Sequence, residues 1–220
     1  MKVSIKIPAT LSEITLEQYQ KYIKIYEQNK DIENADVFLE LKMIEIFCYL
    51  PYSEVVNIKY KDVKGIVDHL NSLLSLKPDL VKGFELGDKK FGFVTNLDEL
   101  TFDEYTTIDT NISSIENIHI AMAVLYRPIQ TGSYKSKYII EDYEIKKYWE
   151  VMKHMPLDAV MSSLVFFCNL GKELSKATLR YLQTQAVKED FQLELNLVQN
   201  GIGITHFTDL VEETLQSMDM

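Results

Sequence analysis

Few side chains in this sequence stand at spacings that do chemistry. The histidines are His69, His119, His154 and His206; no two are four residues apart, and none is close to Cys48 or Cys168 in sequence. Zinc sites are usually written as closely spaced Cys and His pairs, so a metal centre here would have to be assembled by tertiary proximity alone. A Cys–His nucleophilic pair meets a different objection. Both cysteines sit among Phe, Leu and Ile, where burial raises a thiol's pKa and leaves it inert, and two reduced core thiols is the plainer reading. His69 flanks an apolar stripe and His119 lies between Ile118 and Ile120, as partly buried helix histidines do.

Phosphate chemistry fares no better. Gly132–Lys137 contains glycine, serine and lysine without the order of a phosphate-binding loop, and Gly201-Ile-Gly203 is a lone G-x-G that reads as a helix stop and turn. Lys135 and Lys137 with Tyr134 and Tyr138 form the one basic–aromatic cluster, yet Glu141, Asp142 and Glu144 follow at once. Asp98, Glu99, Asp103 and Glu104 surround a predicted helix start, where negative charge is favourable for structural reasons. Nothing selects two carboxylates for a common substrate. The sequence therefore predicts no enzyme, no metal and no cofactor.

The elements that position these residues come from a chain with enough apolar content for a core: 220 residues, 46% apolar, with 8 Gly and 5 Pro. The expectation is one domain over residues 1–185 and a C-terminal extension over 186–220. Against 33 acidic residues stand 23 basic ones, a net charge of −10. That is the wrong sign for phosphate-driven nucleic-acid binding, so no direct contact with nucleic acid is expected. The longest apolar run, near Val160–Leu170, is interrupted by Ser162, Ser163 and Asn169 and is short of the roughly 20 residues of a membrane helix. Met1–Pro8 has no apolar block of the kind a secretory signal needs. A soluble protein made in a reducing cytoplasm is expected, with no membrane partner.

Periodicity predicts a mostly helical α+β fold with a small antiparallel sheet. Val3, Ile5 and Ile7 alternate as a half-buried strand, and Phe84–Leu86 with Phe91–Val94 form a hairpin about Gly87–Lys90. Helices are expected at Leu16–Glu27, at Val37–Leu50 capped by Asp36, and from Asp62, where Val63, Ile66, Val67, Leu70, Leu73 and Leu74 make one apolar stripe. A short helix from Phe102 follows, then helices at Ser114–Tyr126, Ile145–Lys153, Leu157–Leu170 and Lys172–Lys188. Tyr138–Ile140 reads as a brief strand.

One internal echo stands out. Leu11-Ser-Glu-Ile-Thr-Leu-Glu-Gln-Tyr19 aligns without gaps to Leu97-Asp-Glu-Leu-Thr-Phe-Asp-Glu-Tyr105. Thr15 and Thr101 fit N-caps, Gln18 and Glu104 fit the third-position partners of a capping box, and Ile14 and Leu100 can staple onto Tyr19 and Tyr105. The echo reads either as two uses of a common helix-start device or as a duplicated strand–turn–helix. In the extension, Phe191, Leu193 and Leu195 alternate, and Phe207, Leu210, Val211 and Leu215 suit an amphipathic helix; these seven are the candidate partner-docking residues, packed back or docked on another chain.

Several blocks resemble a family of tailed-bacteriophage structural and assembly proteins, especially of crAss-like podoviruses and related environmental phages. They are Ile5-Lys-Ile-Pro8 with Leu11–Gln20, Phe84-Glu-Leu-Gly87 with Phe91-Gly-Phe93, Asn96–Tyr105, Ala121-Met-Ala-Val-Leu-Tyr-Arg-Pro-Ile129, and Met155-Pro-Leu-Asp158 leading to Phe166–Gly171. The likeness covers about residues 5–180 and carries no catalytic motif. It implies a virion or virion-assembly protein, made in the host bacterial cytoplasm and bound to other phage structural proteins in multiple copies. Two binding roles fit: a virion component of the tail, neck or internal cargo, or a tail assembly chaperone that leaves. A third class, a host-takeover factor or enzyme, would need a convergent polar pocket.

Overall fold

The structure, a computed structural model, describes residues 5–94, 96–130, 139–144 and 146–186. The candidate docking residues Phe191, Leu193, Leu195, Phe207, Leu210, Val211 and Leu215 lie outside them, as do His206, Lys135 and Lys137.

Helix α1 (Leu16–Asn29) begins at Thr15, whose Oγ1 accepts from Gln18 N–H at 3.2 Å while Gln18 Oε1 accepts from Thr15 N–H at 3.0 Å. This helix start is buried, so its remaining free donors need partners. They find them across the fold: Leu16 N–H donates to Met155 O at 3.0 Å and Glu17 N–H to Lys153 O at 2.7 Å. In return Leu157 N–H donates to Ile14 O at 2.8 Å. Gln18 uses its amide nitrogen as well, donating to Ile46 O at 2.7 Å. That carbonyl belongs to the end of helix α2 (Asp36–Phe47), where helical partners run out. Asp36 stands in the first turn of α2, and the N-cap is Ala35 with no side-chain capping bond.

A single turn, α3 (Tyr52–Val55), leads to α4 (Tyr60–Leu74). Val63, Ile66, Val67, Leu70, Leu73 and Leu74 are all buried, so the apolar stripe is the core face of α4. The helix starts ahead of Asp62, with Lys59 as its N-cap.

The sheet is antiparallel in the order β1 (Gly83–Leu86), β2 (Lys89–Phe93), β3 (Tyr126–Pro128). Leu86 faces Lys89, so the turn is only Gly87-Asp88, and Gly87 takes a positive φ of 63° that favours glycine. Gly83 is needed for another reason: a Cβ there would lie 2.7 Å from Phe91 O. The third strand is not the N-terminal segment. Among the described residues Ile5–Pro8 form no strand, and Tyr126–Pro128 pairs with Phe91–Phe93 instead. Helix α6 (Ile118–Leu125) stops because Tyr126 turns extended and Pro128 cannot donate a helical bond. Ile140 bridges Ile129 on the far side of β3, where the brief strand was expected.

Helix α5 (Phe102–Asn111) packs on α6, and a short turn, α7 (Trp149–Met152), replaces the longer helix expected there. The last helix, α8 (Leu157–Ala186), runs unbroken through Gly171, so the two helices expected there are one. An isolated glycine costs a helix only about 1 kcal/mol. Phe93 meets Phe166 edge-on at 5.6 Å, and Tyr126 OH bonds Val81 O at 2.7 Å and Ser163 Oγ at 3.0 Å, which fixes the sheet on α8. Most of the buried apolar side chains form one cluster from Leu11 to Phe167.

Gln18 is chosen for its amide nitrogen. We predict that Gln18→Glu, which keeps the capping-box acceptor but turns a carboxylate oxygen toward Ile46 O, lowers folding stability by about 1–3 kcal/mol. Urea denaturation of the two proteins measures it, and equal midpoints would refute the role given to the amide.

Candidate functional site

The second copy of the echo builds the site. Residues 97–99 form a 3-10 turn, as residues 11–13 do, and Thr101 caps α5. Glu104 N–H donates to Thr101 Oγ1 at 3.3 Å, and Glu104 Oε2 accepts from Thr101 N–H at 2.6 Å. Glu104 is 5% exposed. Its other oxygen accepts from Arg127 Nη2 at 2.5 Å, an ion pair with both side chains largely out of solvent. Arg127 is the middle residue of β3. Its Nε donates to Val124 O at 3.0 Å, and its guanidinium lies 5.8 Å from the Tyr143 ring centroid. One guanidinium therefore ties the start of α5, the end of α6 and the segment after Ile140 together.

Around this pair opens a cleft of about 630 Å³, with α5's start on one side and residues 139–143 on the other. Its walls carry Glu99, Asp103, Glu104, Glu141 and Asp142 against Arg127. Glu99 Oε1 accepts from Asn96 Nδ2 at 2.9 Å, and Glu141 Oε2 accepts from Tyr148 OH at 3.3 Å. Arg127 is committed to Glu104 and Lys147 Nζ lies 3.5 Å from Glu141 Oε2, so among the described lining residues Glu99, Asp103 and Asp142 leave the field negative. Val94, Leu100, Ile140 and Tyr143 give the cleft an apolar floor, and Ile139 is 61% exposed at its edge. On the helix that forms one wall, Phe102 is 83% and Tyr105 59% exposed. Tyr19, the counterpart of Tyr105, is buried. Such a cleft attracts cationic groups and offers them apolar contact.

The other candidates are dispersed. Thr15 and Gln18 belong to the buried α1 start and share no cleft with Thr101 and Glu104. Burial pushes the Cys48 thiol up to about 11, and Cys168 is buried in α8. His69 Nε2 lies 2.8 Å from Pro8 O, and His154 Nδ1 is 3.4 Å from Glu17 Oε2 at the surface. Among the described residues no three His, Cys, Asp or Glu side chains gather as metal ligands, and no helix is long and apolar enough to cross a membrane. The Arg127–Glu104 pair was not anticipated. Its signal was available in the composition: Arg127 is one of only two arginines among 23 basic residues.

Comparison with protein-family models, with curated proteins and with solved structures gave no match.

His119 has a titration with a definite sign. It is 6% exposed, and desolvation first, then the charge of Lys153, hold its pKa below the usual 6.5. The unfolded chain therefore binds the proton first. The stability contributed by neutral His119 is present above about pH 6.5 and is lost as the pH falls below it. We predict that melting temperature falls less steeply between about pH 7 and pH 5 in His119→Gln than in the wild type; parallel curves would refute this.

The ion pair generates a graded series. Thr101→Ala should cost about 1 kcal/mol, the usual worth of an N-cap. Arg127→Met, which strands a buried carboxylate, should cost about 3 kcal/mol or more. Arg127→Lys should recover only part of that loss, because an ammonium lacks the planar fork. Chemical denaturation orders the three variants, and full rescue by lysine would overturn the assignment.

Proposed function

We propose that this protein is a non-enzymatic component of a tailed-bacteriophage particle, acting in the tail, neck or internal cargo by binding other phage structural proteins in multiple copies. The observation that carries the binding reading is the cleft beside Arg127. It joins carboxylates to exposed Ile139, while Phe102 and Tyr105 stand exposed on the helix that forms one wall, and aromatic anchors beside a charged rim are what protein interfaces use. A basic segment of a partner protein suits it. The phage context is supported by the sequence blocks between residues 5 and 180, among them Ala121–Ile129, which supplies β3 and Arg127. A net charge of −10 also limits adhesion to packaged DNA.

The test is quantitative mass spectrometry of purified, nuclease-treated particles from the phage that encodes this chain. Tens of copies per particle are expected. Absence from particles, with abundance in infected-cell lysate, would overturn the virion assignment in favour of a transient assembly chaperone or a host-takeover factor.

A further inference from the structure

Helix α4 is weakened in one place for no reason found among the described residues. Gly65 is in its interior, where glycine is a poorer helix former than any residue but proline. Among the described residues, a Cβ at Gly65 would meet nothing within 4 Å, so neither their packing nor a close backbone requires the glycine. The same end of the helix lacks a side-chain cap, and Lys59 and Lys61 stand where the helix dipole disfavours positive charge.

These residues border a second groove, of about 700 Å³, which shares no residue with the acidic cleft. Ile58 and Ile66 line it from the α4 side, and Ile5 and Ile7 from the N-terminal segment. Lys6 is exposed and is not part of the lining, which is the two-residue alternation of an extended chain. His69 holds the end of that segment through Pro8 O. Among the described residues, no backbone hydrogen bond engages Ile5, Lys6 or Ile7. An extended segment with open donors and acceptors, beside an apolar groove, is what strand addition uses.

We propose that this groove receives an extended, acidic segment of a partner protein, which pairs with Ile5–Ile7 and crosses α4 at Gly65. Lys59 and Lys61 line the groove against one carboxylate, Asp62, and Lys6 is exposed on the adjoining segment, so this corner of an acidic chain is locally basic. The occupant alternates aliphatic residues, which enter the groove beside the isoleucines, with Asp or Glu, which meet the lysines. The open space above Gly65 admits its backbone. None of this depends on the phage context.

The probes are two capped octapeptides, alternating Val-Glu and alternating Val-Lys, titrated into the full-length chain by two-dimensional amide NMR. The Val-Glu peptide should shift the amides of Ile5–Ile7 and Gly65, and the Val-Lys peptide should bind about tenfold more weakly or less. Gly65→Leu should weaken Val-Glu binding by about tenfold while leaving the melting temperature unchanged or higher, since leucine is the better helix former. A double charge reversal, Lys59→Glu with Lys61→Glu, should invert the preference between the peptides. Equal binding of both peptides, shifts confined to other residues, or undiminished binding by Gly65→Leu would overturn the proposal. So would protection of the Ile5–Ile7 amides from hydrogen exchange without peptide that disappears in Gly65→Leu, because this chain or a second copy would then fill the groove.

Discussion

A buried helix start cannot leave its backbone donors unpaired, and the architecture is arranged around meeting that requirement for α1. Water cannot reach Leu16, so the free N–H groups at this end need protein acceptors. The turn before α8 supplies two of them, Met155 O and Lys153 O, and Thr15 supplies a third. Leu157 returns a bond to Ile14 O, so the first residue of α8 is placed by the entry to α1. Gln18 then carries the same constraint to α2 through Ile46 O. From α8 the chain of dependence reaches the sheet, because Ser162 Oγ accepts from Val81 N–H at 3.0 Å and Ser163 bonds Tyr126 OH. The sheet in turn presents Arg127 to Glu104.

The two echoed segments show how one helix-start device is adapted to burial and to the surface. Both have a 3-10 turn, an extended residue, a threonine cap and a reciprocal bond from the third helical residue. They differ where the third residue looks outward. Gln18 faces backbone carbonyls, which only a donor can satisfy; Glu104 faces a guanidinium, which only an acceptor can satisfy. Their surroundings also differ. The second unit follows strand β2, whereas no strand precedes the first among the described residues, and α1 packs on α2 and α8 while α5 packs on α6. A duplicated strand–turn–helix needs matching strands and matching neighbours. Two uses of a local device need neither.

What was legible in the sequence follows the range of the interactions involved. The α4 stripe and the hairpin rest on periodicity and turn chemistry within a dozen residues, and both are found. Gly171 does not end α8, because a single glycine costs a helix only about 1 kcal/mol and does not stop it by itself. The third strand was misassigned to the N-terminus because alternation announces an extended chain without saying what it pairs with. Tyr126–Pro128 gave no alternation to read, being three residues long, and its pairing with Phe91–Phe93 is a tertiary fact. The acidic cleft was partly visible as two separate runs of carboxylates. Only the fold brings residues 99–104 and 139–143 to opposite walls.

Arg127 is the point where that long-range information is concentrated, and its chemistry explains why a lysine-rich chain holds an arginine there. A lysine is a point charge on a flexible stem; it could pair with Glu104, but it has no Nε–H to reach Val124 O at the same time and no planar face to lay near Tyr143. The guanidinium does all three from one rigid group. It compensates the carboxylate that completes the α5 capping box, so a helix start that carries Asp103 and Glu104 beside Glu141 and Asp142 can close around a neutral pair. Among the described residues, Glu99, Asp103 and Asp142 then carry the surplus charge of the cleft, while Lys147 offsets Glu141. A single residue thus holds the cleft together and leaves its field negative, which is the condition a cationic partner requires.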